Sequence, residues 1–248
     1  MGKPIGFRTA ALSDRGRIRP NNEDRIAALR LPQGALWMVC DGMGGHAAGE
    51  KAAELAVQAV VEYLANAPPL PPPHLLEKAL FEANHAIYTM AHLYPQYHRM
   101  GTTCVIALYR EEEGKLYYAH IGDSRLYLYR QGQLYQKTLD HSYVQFLVSQ
   151  GLLSPEEAEL HPRRHVILRA LGLSQRPEIE VALEALTIEP GDCILLCSDG
   201  LNNMLSNSDI QAILNTDLPL QAKAHALVKA ANEAGGEDNI SVVLAEFV

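Results

Sequence analysis

The sequence predicts an α+β fold, and two observations lead to this class. Short apolar runs that are typical of β-strands occur near the start, in the middle and at the end of the chain. Between them lie segments with apolar residues at three- and four-residue spacing, which indicates amphipathic helices. Because strands and helices come in blocks rather than alternating one by one, a mixed fold is favoured over a regular βαβ arrangement.

The first part of the chain runs from strands into helices. In chain order, the expected elements are strands 26–31 and 35–40 and helices over about 52–64 and 75–93. The turn Pro32-Gln33-Gly34 separates the two strands. The proline-rich run 68–73 is expected to be a stiff, extended linker between the two helices.

The rest of the chain is richer in strands. The expected strands are 102–109, 115–120, 125–130, 133–138, 179–183, 193–197 and a final one from about 239. The first four of these suggest an antiparallel meander, and two helices precede the last strand. Segment 140–176 has a different character, with an N-cap at Ser154, followed by Pro155 and Glu157, and the most basic stretch of the chain. No linker divides the chain, so residues 1–248 are expected to form one domain.

The composition excludes several classes of protein. With 48% hydrophobic and 20% charged residues the chain is globular, and its net charge of −8 disfavours binding to nucleic acid or to an anionic membrane. The first ten residues contain no apolar region of the kind that a signal peptide needs, so none is expected, and no apolar run has membrane-spanning length. Its four cysteines form no C-x-x-C pair, so we expect free thiols in a cytoplasmic protein.

One glycine-rich turn allows a reading as a dinucleotide-binding oxidoreductase. Residues 42–47 fit the pattern G-x-G-x-x-A, and Glu62 stands twenty residues after Gly42. Against this reading, Asp41 directly precedes the first glycine, where its charge would repel a pyrophosphate. Glu62 lies inside the first predicted helix, and no βαβ unit follows.

Acidic residues stand at the ends of several predicted strands. They are Glu23 with Asp24, Asp41, Asp123, Asp199 and Asp238, and each of these sites adjoins a glycine, serine or asparagine. Any one of them is ordinary turn chemistry, but if the strands share a sandwich, several could converge on one edge. Converging carboxylates need cations, and oxygen ligands select Mg²⁺ or Mn²⁺. Two such ions about 3.5–4 Å apart can promote displacement at phosphorus, and Arg19 could bind the phosphate.

Six motifs resemble the ordered motif series of the protein phosphatase 2C (PPM) family, most closely its compact bacterial and cyanobacterial branch. They are Arg-Pro-Asn-Asn-Glu-Asp (19–24), Asp-Gly-Met-Gly-Gly-His (41–46), Met-Gly-Thr-Thr (100–103), Gly-Asp-Ser-Arg (122–125), Ser-Asp-Gly-Leu (198–201) and Gly-Gly-Glu-Asp-Asn-Ile-Ser (235–241). Each motif alone is weakly specific, whereas six in family order across nearly the whole chain are highly specific.

The resemblance implies a four-layer αββα sandwich and a metal-dependent phosphoserine and phosphothreonine hydrolase. A centre of two Mg²⁺ or Mn²⁺ ions would activate a bridging hydroxide for in-line attack on phosphorus. The implied ligand roles are a bridge from Asp41, one ion completed by Asp199 and Asp238, the other by the Gly42 carbonyl and Glu23, and a third, looser ion on Asp123 with Asp199. Arg19 would hold the phosphate, and 140–176 would form a flap beside the site.

Some roles stay open at this stage. The leaving alkoxide needs a proton, and Met43 occupies the position where many eukaryotic members of the family have a histidine. His46, three residues further on, is therefore a candidate general acid; it could instead contact the substrate or cap the helix that follows. Asp24 is either a partner behind the ligands or an alternative to Glu23. The expected partners are phosphorylated proteins, and the expected state is a monomer. A catalytically inactive phosphoprotein-binding module is the alternative.

Overall fold

Two antiparallel sheets face each other in the computed structural model, which describes residues 5–45 and 47–248. The strands, in chain order, are β1 (Phe7–Asp14), β2 (Arg25–Leu31), β3 (Gly34–Cys40), β4 (Gly42–Met43), β5 (Gly101–Thr102), β6 (Cys104–Arg110), β7 (Lys115–Ile121), β8 (Arg125–Arg130), β9 (Gln133–Gln136), β10 (Glu180–Val181), β11 (Leu186–Thr187), β12 (Cys193–Cys197) and β13 (Ile240–Phe247). Most of the predicted strands are confirmed within one or two residues.

The helices lie where the apolar spacing and the N-cap at Ser154 predict them, with Tyr143–Ser149 and Asp199–Asn202 as additions. They are α1 (Ala47–Asn66), α2 (Pro72–Leu93), α3 (Tyr143–Ser149), α4 (Pro155–Glu159), α5 (Asp199–Asn202), α6 (Asn207–Leu214) and α7 (Leu220–Glu233). Helix α2 begins inside the proline run, because proline is tolerated in the first helical turn, where backbone N–H groups have no partner in the helix. None of the helices in the described part of the chain has the length and apolar character that a membrane crossing requires.

The strand order shows how distant parts of the chain meet. Among the described residues, one sheet has the order β1-β13-β12-β8-β9, and the other has the order β10-β7-β6-β3-β2 with β11 beside β7. Strand β1 pairs over its full length with β13 at the other end of the chain. The short strands β4 and β5 pair separately, next to the strand ends that carry the acidic residues.

The predicted meander is wrong, since the chain changes sheets in its middle. Strands β6 and β7 belong to one sheet, whereas β8 and β9 belong to the other. The crossing takes place at Gly122, whose φ of 104° is readily available only to glycine. Asp123 therefore lies between the two sheets and not in an ordinary hairpin turn.

Three apolar layers hold the sandwich together. Helices α1 and α2 pack on the outer face of one sheet, and α5, α6 and α7 pack on the outer face of the other. Between the sheets, Trp37 contacts Phe7 and Phe247 edge to face, with ring centroids 5.1 and 6.0 Å away, respectively. The four-layer αββα arrangement that the family resemblance implies is thereby confirmed.

The four cysteines, Cys40, Cys104, Cys193 and Cys197, are buried free thiols, as expected. Burial raises the pKa of Cys193 and of Cys197 to about 12, so both stay protonated and unreactive.

Candidate metal centre

A cleft of about 740 Å³ opens where strand ends from both sheets meet. Six of the eight predicted site residues line it: Arg19, Glu23, Asp41, Gly42, Asp199 and Asp238. Asp123 lines an adjoining cavity of about 690 Å³, which shares Asp199 with the first. His46 lies outside the described residues. The turn at Gly42-Met43 pairs with β5, and the residues that follow it open α1 with no βαβ unit, so the dinucleotide-binding reading is wrong.

Asp41 follows β3 and is held by the backbone around it. Its N–H donates to the Thr103 hydroxyl at 3.1 Å, and its carbonyl accepts from the Thr103 N–H at 2.9 Å and the Thr102 hydroxyl at 2.8 Å. Both threonines are fully buried. The backbone N–H and the carbonyl of Asp41 are therefore both hydrogen-bonded to the threonines. Its carboxylate is the polar group that remains for the cleft.

The carboxylates of this region raise one another's pKa values. Burial raises the pKa of Asp41 well above its usual range, and the charges of Asp24 and Asp199 raise it further. Burial and then the charge of Asp199 do the same to the pKa of Asp123. For Asp199, burial raises the pKa first, followed by the charge of Asp238. Ionising several buried carboxylates so close together costs folding free energy unless positive charge compensates their repulsion.

Buried oxygens without partners point to the same need. One carboxylate oxygen each of Asp24, Asp123 and Asp199 is buried and accepts no hydrogen bond within the described part of the chain. Buried polar atoms are almost always satisfied, so the oxygens of Asp199 in the cleft and of Asp123 in the adjoining cavity mark a place for a ligand, whereas that of Asp24 lies behind them. Since the donors are all oxygens, the residues fit hard divalent cations such as Mg²⁺ or Mn²⁺.

Asp24 lies behind the cleft and does not line it. It is 1% exposed, and the Ser198 hydroxyl donates to its Oδ2 at 2.7 Å. Burial raises the pKa of Asp24 to about 7, while hydrogen bonds from Ser241 and Ser198 oppose this shift. Of the two open readings, the structure favours a partner behind the ligands over a ligand in place of Glu23.

Gly42 and Gly49 permit a close approach between the turn, helix α1 and Glu23. A methyl group on Gly42 would overlap the carbonyl oxygen of Gly49, and one on Gly49 would overlap the Glu23 carboxylate. The Glu23 N–H donates to the Asn239 side chain at 2.8 Å. The absence of side chains at Gly42 and Gly49 therefore lets the backbone pack tightly around the Glu23 carboxylate.

Gly49→Ala is expected to lower metal affinity although alanine favours helices by about 1 kcal/mol over glycine. The added methyl group would push the Glu23 carboxylate away, and we expect Mn²⁺ affinity to fall roughly 10-fold. Calorimetric titration with Mn²⁺ measures this, with Gln58→Ala on the exposed side of α1 as the matched control. Equal affinities of the two variants would contradict the assigned packing.

Arg19 is paired with a predicted ligand. Its Nη2 donates to Asp238 Oδ2 at 2.7 Å, and the other oxygen of Asp238 accepts from the Asn239 N–H at 2.8 Å. The Arg19 side chain is 54% exposed, so its guanidinium remains accessible from the cleft.

Sequence reasoning missed the residues that support the ligands. The Asn239 amide donates to the carbonyls of Arg15 and Asn21 at 2.9 and 2.8 Å, which folds the N-terminal loop over the site. The Ser198 hydroxyl donates to Asp24, and the Thr103 hydroxyl accepts from the Asp41 N–H. Asn239 and Ser198 stand directly beside a predicted ligand, and Thr103 belongs to the Met-Gly-Thr-Thr motif; these positions are the signal that could have identified them.

Comparisons with known proteins find similar sequences over nearly the whole chain. The family model described as protein phosphatase 2C matches residues 19–245. The serine/threonine protein phosphatase PstP of Mycobacterium tuberculosis is 42% identical over 98% of this chain, which spans only 45% of that relative's length. The serine/threonine phosphatase stp of Listeria monocytogenes is 38% identical over 97% of this chain and 94% of its own.

A solved structure shows the same similarity in three dimensions. The catalytic domain of PstP in complex with two manganese ions superposes with a TM-score of 0.84 at 38% identity, covering 98% of this chain and 99% of that one.

Proposed function

Because this chain belongs to the protein phosphatase 2C family, we propose that it hydrolyses phosphoserine and phosphothreonine in proteins with the help of Mg²⁺ or Mn²⁺. The observation that supports this most directly is the cleft itself, in which buried, mutually destabilising carboxylates stand beside an accessible arginine. Such a cleft suits a cation-dependent reaction of an anionic substrate.

The cleft residues divide into sets that suit two ions. We propose that Asp41 contacts both, that Asp199 and Asp238 hold one, and that Glu23 and the Gly42 carbonyl hold the other. Asp123, with Asp199, would hold a third ion more loosely. When bound, the cations would supply a bridging hydroxide as the nucleophile and offset negative charge on the phosphoryl oxygens.

The chain's own groups bind the substrate and donate the proton. Arg19 can present two N–H donors to two phosphate oxygens, in exchange for its contact with Asp238. The leaving serine or threonine oxygen must gain a proton, and His46 is our candidate donor. No cysteine is required as a nucleophile, in agreement with the burial of all four thiols.

Segment 140–176 is proposed as the flap. It contains α3 and α4, and its His165 lines both the metal cleft and the adjoining cavity. Arg164 lines the adjoining cavity as well. These basic residues would face an acidic or phosphorylated substrate that lies across the site.

The proposal also covers domain organisation, oligomeric state, cellular location and partners. Residues 1–248 are taken as one catalytic domain that acts as a monomer in the cytoplasm on phosphorylated proteins, without nucleic-acid or membrane partners. The net charge of −8 and the buried free thiols support this assignment.

The experiment that tests the function is hydrolysis of an aryl phosphate and of a phosphothreonine peptide with Mn²⁺, with Mg²⁺ and with EDTA. We expect turnover with either metal and none in EDTA. No turnover by folded protein that has bound Mn²⁺ would refute the enzyme and favour the phosphoprotein-binding module.

A further inference from the structure

His141 joins three parts of the chain that are distant in sequence. Its N–H donates to the Gly122 carbonyl at 2.9 Å, and the Gly122 N–H donates to its Nδ1 at 3.1 Å. Its own carbonyl accepts from the Leu168 N–H at 2.7 Å, and its Nε2 lies 3.2 Å from Glu180 Oε2. The residue therefore contacts the turn before Asp123, strand β10 and the flap arm, by which we mean the end of the flap around Leu168 that leads back to the sheets.

The imidazole of His141 is held in one tautomer. A backbone N–H can only donate, so Nδ1 must be unprotonated, and Nε2 carries the proton that it donates to Glu180. Burial and then the neighbouring His120 lower the pKa of His141, which keeps the ring neutral. The His120 ring stacks on it with centroids 4.5 Å apart.

His120, His141 and Glu180 offer ligand atoms within 4.8 Å of one another, yet the hydrogen bonds argue against a metal site there. A metal on Nε2 of His141 would require the ring to lose its last proton, because Nδ1 already accepts from Gly122. The two rings are also inclined by only 18°, so their in-plane lone pairs do not converge. The arrangement instead suits a ring whose function is to hold the backbone of Gly122.

Gly122 in turn determines where Asp123 lies. Its φ is 104°, and an added Cβ would stand 2.6 Å from Thr103 Cβ, so the turn fits tightly against the segment that supports Asp41. Both backbone polar groups of Gly122 are bonded to His141. Asp123 follows directly, 6% exposed and with one carboxylate oxygen without a partner among the described residues.

We propose that His141 is a positioning residue that, through Nδ1, holds the Gly122–Asp123 turn in place for metal binding and ties it to the flap at Leu168. This inference rests on the proposed metal role of Asp123 and adds a group that does not touch the metal. Displacement of the flap arm is thereby linked to the position of one carboxylate of the centre.

A pair of substitutions at His141 distinguishes the contribution of Nδ1 from that of Nε2. In His141→Asn the amide oxygen can take the place of Nδ1, whereas in His141→Gln the longer side chain reaches the place of Nε2 and leaves the Gly122 N–H without its acceptor. Titration with Mn²⁺, followed by the electron paramagnetic resonance signal of the free ion, counts the bound ions and gives each affinity. Asp123→Asn identifies the binding step that depends on Asp123.

We expect His141→Asn to bind Mn²⁺ within about 2-fold of the wild type, and His141→Gln to weaken the Asp123-dependent step roughly 10-fold. In an Asp123→Asn background, His141→Gln should change nothing further, because its effect acts through Asp123. A general structural defect would instead weaken the other steps too, and that result overturns the inference. So does wild-type binding by His141→Gln.

The same titrations distinguish a failure of the proposed metal centre from a failure of the inference about His141. If the wild-type protein binds no Mn²⁺, the metal centre itself is refuted, and this inference with it. If the wild type binds and Asp123→Asn loses a step while His141→Gln loses none, only the inference fails.

A second pair covers the case in which His141→Gln does not fold. The Glu180 side chain is 49% exposed, so its substitution leaves the core intact. Glu180→Gln keeps an acceptor for Nε2 and should retain the Asp123-dependent affinity, whereas Glu180→Ala frees the ring and should weaken that affinity roughly 3-fold. Equal affinities of these two variants overturn the inference.

Discussion

Asp41→Ala is expected to abolish phosphatase turnover while the protein stays folded, with kcat reduced at least about 10³-fold. Asp41 is the carboxylate that we propose contacts both ions, and its backbone is held by Thr102 and Thr103 independently of its side chain. The measurement is hydrolysis of the phosphothreonine peptide at saturating Mn²⁺, accompanied by circular dichroism.

Two further variants make this result specific. Asp41→Asn keeps the shape of the side chain and should be as inactive as the alanine variant. Asp217→Asn changes an exposed aspartate that does not line the cleft, and it should keep full activity. Near wild-type turnover by Asp41→Asn would show that the assigned centre is wrong.

The metal-free protein is expected to lose stability as the pH rises from 6.5 to 8. Burial raises the pKa of Asp24 to about 7, and the pKa values of Asp41 and Asp123 are raised well above their usual range. The folded state thus holds protons that the unfolded state has already released, so the free energy of unfolding falls with pH. We expect a loss of about 2 kcal/mol, or roughly 5 °C in Tm, by thermal denaturation in EDTA.

The buried histidines oppose this trend only in the lower part of the pH window. Burial lowers the pKa values of His120 and His141, so up to about pH 7.5 the unfolded state still releases protons from them and they act in the opposite direction, whereas at higher pH they are neutral in both states. Asp41→Asn, which removes one of the buried charges, should flatten the dependence and be more stable than the wild type in EDTA at pH 8. A wild-type Tm that rises from pH 6.5 to 8 would contradict the prediction.

Most elements and most ligand candidates follow from local features of the chain. Runs of apolar residues with a period of two or 3.6 specify strands and helices because the periodicity must match one buried face. The acidic residues follow or precede those runs, so their places at strand ends can be seen without coordinates. Ser154 with Glu157 likewise predicts the capping box that begins α4.

Contacts between distant residues account for what the sequence left undetermined. No local feature of the sequence indicates that the chain crosses from one sheet to the other at Gly122. The same is true of the hydrogen bond that Asp24 accepts from Ser198, 174 residues away in the sequence. The same holds for Asn239, which closes the loop before Glu23, and for His141, which reaches the Gly122 backbone. Local patterns thus identify the groups that can hold metal, because they reflect the preferences of single elements. Their alignment, burial and raised pKa values arise only when the two sheets pack and remove those groups from water.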